Sequence, residues 1–153
     1  MYYFLLSLHS LVRWLVLLSL LVSLCMAYRG LIRKTIFGPA VNKVRHWTAT
    51  IAHIQMLIGM TLYFQSPIVK TAVADGNEAM LANNLFFRYL HISLMLISIV
   101  VITIGSAKAK RAATDPDKYT TMLRWFAAGL IIILLAIPWP FYDYISRPLI
   151  RKF

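Results

Sequence analysis

The chain has 153 residues, of which 60% are hydrophobic and 14% charged, with 16 Lys and Arg against 5 Asp and Glu for a formal net charge of +11. A mean hydropathy of +0.71 means more apolar surface than a water-soluble domain of this length can hide, which excludes an ordinary soluble globule. The basic residues flank apolar runs and are not interleaved with aromatics, so their partners are anionic lipid headgroups, and nucleic acid is excluded.

Crossing about 30 Å of hydrocarbon takes roughly 20 apolar residues. The first such window runs from Phe4 to Tyr28. Met1 to Tyr3 carry no Lys or Arg and the apolar run outlasts a signal core, so this window reads as a retained helix. Cys25 stands alone, which leaves no intramolecular disulfide. A basic connector, Arg29 to Arg45, is interrupted at Gly38-Pro39.

The second window, His46 to Phe64, ends at Ser66-Pro67. The connector Gln65 to Asn84 has a short interfacial helix expected around Asn77 to Leu81. The third window runs from Leu85 to Ala107, and Asp115-Pro116-Asp117 punctuates the connector after it. The fourth, Leu123 to Phe141, closes at Pro138 and Pro140. Tyr2, Tyr3, Trp47, Tyr63, Trp125, Trp139 and Tyr142 fall near helix ends, where amphipathic rings favour the headgroup region. The pattern predicts an all-α fold, an integral membrane four-helix up-down bundle, as a single membrane domain over 1–153.

The first connector holds Arg29, Arg33, Lys34, Lys43 and Arg45, and Lys108, Lys110, Arg111, Lys118 and Arg124 follow the third window, ten of the 16 basic residues. The positive-inside rule puts both connectors in the cytoplasm and both termini on the non-cytoplasmic side. Lys70, Arg147, Arg151 and Lys152 fall on the opposite side and run against that rule without reversing it.

Function in such a chain lies with the polar groups that lipid penalises: Arg13, Arg88, His9, His53 and His91. Counted inward along the helices, His9 lies about 8 Å below Phe4 and His91 about 9 Å below Leu85, in one layer. The first and third helices can stand diagonally in an up-down bundle and aim these imidazoles at each other, as the axial ligands of a haem iron require. Gly59 falls in the same layer, where it leaves room for a macrocycle or simply lets helices pack closely.

Arg13 lies roughly 13 Å inward, and all five carboxylates, Asp75, Glu78, Asp115, Asp117 and Asp143, fall in connectors or the tail. Its guanidinium therefore needs a bound anion, carbonyls, a wet cleft or a snorkelling route; haem propionates, a quinone oxygen or a lipid phosphate would serve. Arg88, one turn above His91, suits either propionates or headgroups. His53, about 16 Å from the outer end, is an alternate ligand, a proton-relay group or an interhelical hydrogen-bonding residue. Met56 and Met95 rank behind the histidines as ligands. No Gly-rich phosphate loop, cysteine pair or His-Glu-x-x-His helix occurs, which argues against a conventional hydrolase.

Leu8-His9-Ser10-Leu11-Val12-Arg13-Trp14, Ala52-His53-Ile54-Gln55 with Gly59 and Leu62-Tyr63-Phe64, and the ending Ile137-Pro138-Trp139-Pro140 together give a resemblance that covers nearly the whole chain. The sequence resembles short bacterial four-helix membrane proteins labelled cytochrome b-like. The resemblance implies b-type haem held by helix histidines, with His9, His53 and His91 in position for that role, and electron transfer in the bacterial cytoplasmic membrane. The expected function is thus a haem b electron carrier or the anchor of a redox enzyme, rather than a free-standing catalyst, with a quinone or redox protein as partner. The competing expectation is a cofactor-free accessory or assembly subunit of a larger membrane complex, marked by an Arg13 turned outward to a partner helix.

Overall fold

The computed structural model describes residues 1–70, 78–143, 145 and 147–150. Asp75, Asn77, Arg151 and Lys152 lie outside the described residues. The described chain is helical: α1 (Tyr2–Arg33), α2 (Pro39–Gln65), α3 (Pro67–Lys70), α4 (Glu78–Leu85), a π-helical turn (Phe86–Leu90), α5 (His91–Arg111) and α6 (Asp115–Ala136). No strand occurs among the described residues.

Helix boundaries follow local chemistry rather than the edges of the apolar runs. Gly38-Pro39 and Asp115-Pro116 start α2 and α6: each proline occupies the first helical turn, where its missing N–H costs nothing. Thr114 caps α6 by accepting from the Asp117 N–H at 3.2 Å. Ala136 ends α6, five residues short of the apolar window, because Pro138 forces Ile137 into an extended conformation (φ −73°, ψ 129°). The short helix expected in the middle connector is α4, which the π turn joins directly to α5.

Among the described residues three stretches are long and apolar enough to cross a membrane: Tyr2–Arg33, Glu78–Arg111 and Asp115–Ala136. In α2, Thr48, Thr50, His53 and Gln55 interrupt the apolar run. Three of them bind neighbouring helices, while Thr50 donates to the His46 carbonyl of its own helix. Thr48 meets Ser23 of α1 at 2.8 Å, Gln55 donates to the His9 carbonyl at 2.9 Å, and His53 meets Thr103 of α5 at 3.2 Å. Arg45, 4% exposed, donates to the Ser106 carbonyl at 2.8 Å and to Asn42 at 2.9 Å.

α1 packs on α2 and α6, and α5 packs on the same two helices, so α1 and α5 stand opposite each other. The core between them holds Leu20, Ile102, Met122 and Phe126, all fully buried. On α1 the buried set includes Ser7, Ser10, Ser23 and Gly30, while Leu11, Leu15, Leu18 and Leu21 face outward. Small and polar groups on the buried face let backbones approach closely, and the exposed leucines suit a lipid surround.

Candidate functional site

A cavity of about 610 Å³ opens between the four long helices at the end where the chain starts. That volume is in the range of cofactor and small-molecule pockets. His9 and Arg13 of α1, Gln55 and Gly59 of α2, and His91 and Met95 of α5 line it, as do Phe87, Arg147 and Pro148.

His9 and His91 project from the opposed helices, and their ring centroids lie 6.5 Å apart with planes inclined at 68°. The Nδ1 of His91 donates to the carbonyl of Ala136 at 2.8 Å. A carbonyl only accepts, so Nδ1 carries the proton and Nε2 is left with its lone pair. That carbonyl is available because its α-helical donor would be the N–H of residue 140, which is Pro140. Pro138 leaves the Leu134 carbonyl in the same state, and the Trp139 indole caps it at 2.9 Å. The Pro138-Trp139-Pro140 sequence therefore ends α6 and also orients a histidine on α5.

His9 is seated by a glycine. A Cβ on Gly59 would come within 3.1 Å of His9 Cε1 and 3.6 Å of its Nδ1. The space that Gly59 leaves is taken by the His9 imidazole, and Gly59 itself lines the cavity. Among the described residues, His9 Nδ1, Ser10 Oγ and Gln55 Oε1 are buried without a hydrogen-bond partner. All three belong to residues that line the cavity. Buried polar atoms are nearly always satisfied, so three orphans around one cavity point to a polar ligand or ordered water.

Arg13 lines the same cavity, stacks over Trp14 at 5.5 Å and donates to the Leu149 carbonyl, which also accepts from the Trp14 indole at 2.9 Å. The other two expected residues stand apart. His53 donates from Nδ1 to the Ala49 carbonyl at 2.7 Å, and its Nε2 meets the Thr103 hydroxyl at 3.2 Å. Both nitrogens are engaged, and the residue is not among those lining the cavity. Arg88 is exposed, lies over Tyr89 at 5.6 Å and is likewise off the cavity.

The π turn explains Arg88. Three residues of α-helix rotate about 300°, which would align Arg88 with His91. The wider π turn, closed by the His91 N–H on the Phe86 carbonyl, rotates less per residue and parts the two side chains. The same turn sets Phe86 and Phe87 against the His91 ring, at centroid distances of 5.8 and 5.7 Å. Arg147, on the chain beyond α6, supplies the cavity's other guanidinium. Nothing in its local sequence signals that position, because a long-range fold of the tail brings it there.

Among the described residues no group of three or more His, Cys, Asp or Glu is placed to hold a metal ion. His9 and His91 would be the residues to hold an iron whose other ligands a macrocycle supplied. Metal to imidazole-nitrogen bonds of about 2 Å put the ring centres of two opposed ligands roughly 6 Å apart, close to the 6.5 Å seen here. A histidine ligand also typically donates its other N–H to a carbonyl, as His91 does. No family model matches the chain, and neither a curated protein nor a solved structure matches it.

Proposed function

We propose that this chain is a four-helix integral membrane protein that binds b-type haem between His9 and His91 and serves as an electron carrier or as the membrane anchor of a redox enzyme. The observation that carries the reading is the 6.5 Å approach of the two imidazoles across a cavity edged by unsatisfied polar atoms. Haem bound there supplies one-electron exchange within the membrane. His91 is held for ligation through Ala136, and His9 through its fit against Gly59. An accessory subunit without a cofactor would turn Arg13 outward to a partner helix; Arg13 instead shares the cavity with His9.

All four long helices cross the bilayer in this reading, with α2 carried by its polar contacts to α1 and α5. α1 has 32 residues, about 48 Å at 1.5 Å per residue, and exceeds the hydrocarbon thickness. Measured from Arg29 at the basic end, Arg13 lies about 24 Å along the helix, in the outer leaflet. The cavity then sits near the non-cytoplasmic face of a bacterial cytoplasmic membrane, within reach of a quinone or a redox protein, and both termini lie on that face.

The test is an absorbance spectrum of the detergent-purified protein, air-oxidised and then dithionite-reduced, with a pyridine haemochrome assay for stoichiometry. A Soret band with sharp reduced α and β bands is expected. Replacing His9 or His91 with Ala abolishes haem retention, whereas His53→Ala keeps it. A colourless protein from haem-replete cells, or full retention in both the His9 and His91 variants, overturns the reading.

A further inference from the structure

We infer that the segment after α6 is part of the ligand site, and that Arg147 binds carboxylate groups of the ligand alongside Arg13. This rests on the haem reading and deepens it by assigning the anionic edge of the cofactor to particular residues.

Four observations converge on that segment. Arg147 lines the cavity, as Arg13 does. The segment is tied to α1 through Leu149, whose carbonyl accepts from both Arg13 and Trp14. Leu149 follows Arg147 by two residues, about 7 Å of extended chain, so the tie to α1 also anchors the backbone of Arg147. Arg147 itself is fixed on its other side, with its guanidinium over Phe87 at 4.8 Å and a donor on Asn83 Oδ1 at 2.6 Å.

A guanidinium carries five N–H donors in a planar fork that suits a carboxylate, and a held fork loses little freedom on binding. Both arginines therefore favour a ligand with a polar anionic edge, while the deeper wall near Met95 and Ile99 favours its apolar body. A haem presents that combination: an apolar ring and two carboxylates at one edge. Phe87 links the two parts of the site, since its ring lies under Arg147 at 4.8 Å and against His91 at 5.7 Å.

The experiment compares haemin with haemin dimethyl ester, which lacks the free carboxylates, in titrations of the haem-stripped full chain in detergent. The wild type is expected to bind haemin more tightly than the ester. Arg147→Gln should weaken haemin about tenfold and leave the ester unchanged, since a charge-assisted pair is lost and the rest of the cavity stays. Arg147→Lys should recover part of the loss by restoring charge without the fork. Unchanged haemin affinity in Arg147→Gln overturns the inference. Equal weakening of both porphyrins also overturns it, because the segment would then act only as a cover. If the wild type binds neither porphyrin the haem reading falls too, whereas binding of both that His9→Ala abolishes leaves that reading standing whatever Arg147 does.

Discussion

Lys34 ends α1 in the left-handed region (φ 49°, ψ 42°), a conformation that suits glycine far better than a residue with a Cβ. The Thr35 N–H reaches the Gly30 carbonyl at 3.1 Å, so the turn itself is the one that glycine usually closes. Lys34→Gly is expected to stabilise the folded chain by about 1 kcal/mol, read as a raised midpoint in thermal unfolding of the detergent-solubilised protein. A lowered midpoint would mean that the lysine makes a contact worth more than its backbone strain. The histidines show how far a sequence reading at this scale reaches. Depth along a helix is a simple count, and it placed His9 and His91 in one layer. The direction of a side chain depends on every turn in between, and the π turn defeats the count for Arg88. The engagement of His53 by Ala49 and Thr103 was likewise invisible, because it depends on how α2 is rotated against α5.

Between helices, glycines do what depth counting cannot see. A Cβ on Gly105 would lie 2.2 Å from Trp125 Cβ and 3.5 Å from its Cα, so α5 and α6 meet there at a separation that only glycine permits. Gly129, facing Ile102 at 2.6 Å on the same pair of helices, repeats the arrangement, though against the end of a more yielding side chain. Gly105→Ala should therefore destabilise by about 1–3 kcal/mol, the usual range for an overpacked core, and by more than Gly129→Ala. Equal midpoints in thermal unfolding of the two variants would show that α5 and α6 can part freely at Trp125. The prolines carry a related lesson. Read as breakers they mark where helices cannot continue, yet Pro39 and Pro116 begin helices, and Pro140 frees the carbonyl that orients His91. The signal was legible in the residue type, and its use depended on which side of each proline held the helical run.

At the scale of the whole molecule, the apolar content already dictates long helices with leucines facing outward, and three stretches meet the length and hydropathy needed to cross. α2 differs from them, because its polar residues are spent on neighbouring helices and lower its own apolarity. A helix of this kind inserts only if its polar groups find partners within the bilayer, since each unsatisfied one costs several kcal/mol in hydrocarbon. Exposed positions on either side of it can decide the matter: Ala40 at the basic end, and Glu78 within the middle connector. In a Cys25→Ser background, a membrane-impermeant maleimide should label Glu78→Cys on intact spheroplasts and Ala40→Cys only after permeabilisation. The reverse pattern would keep four crossings and invert the orientation, placing the histidine pair on the cytoplasmic face. Labelling of both from one side would mean that α2 does not cross. The ends of α1 and α5 that carry the histidines would then need to be held together by something other than an up-down membrane bundle.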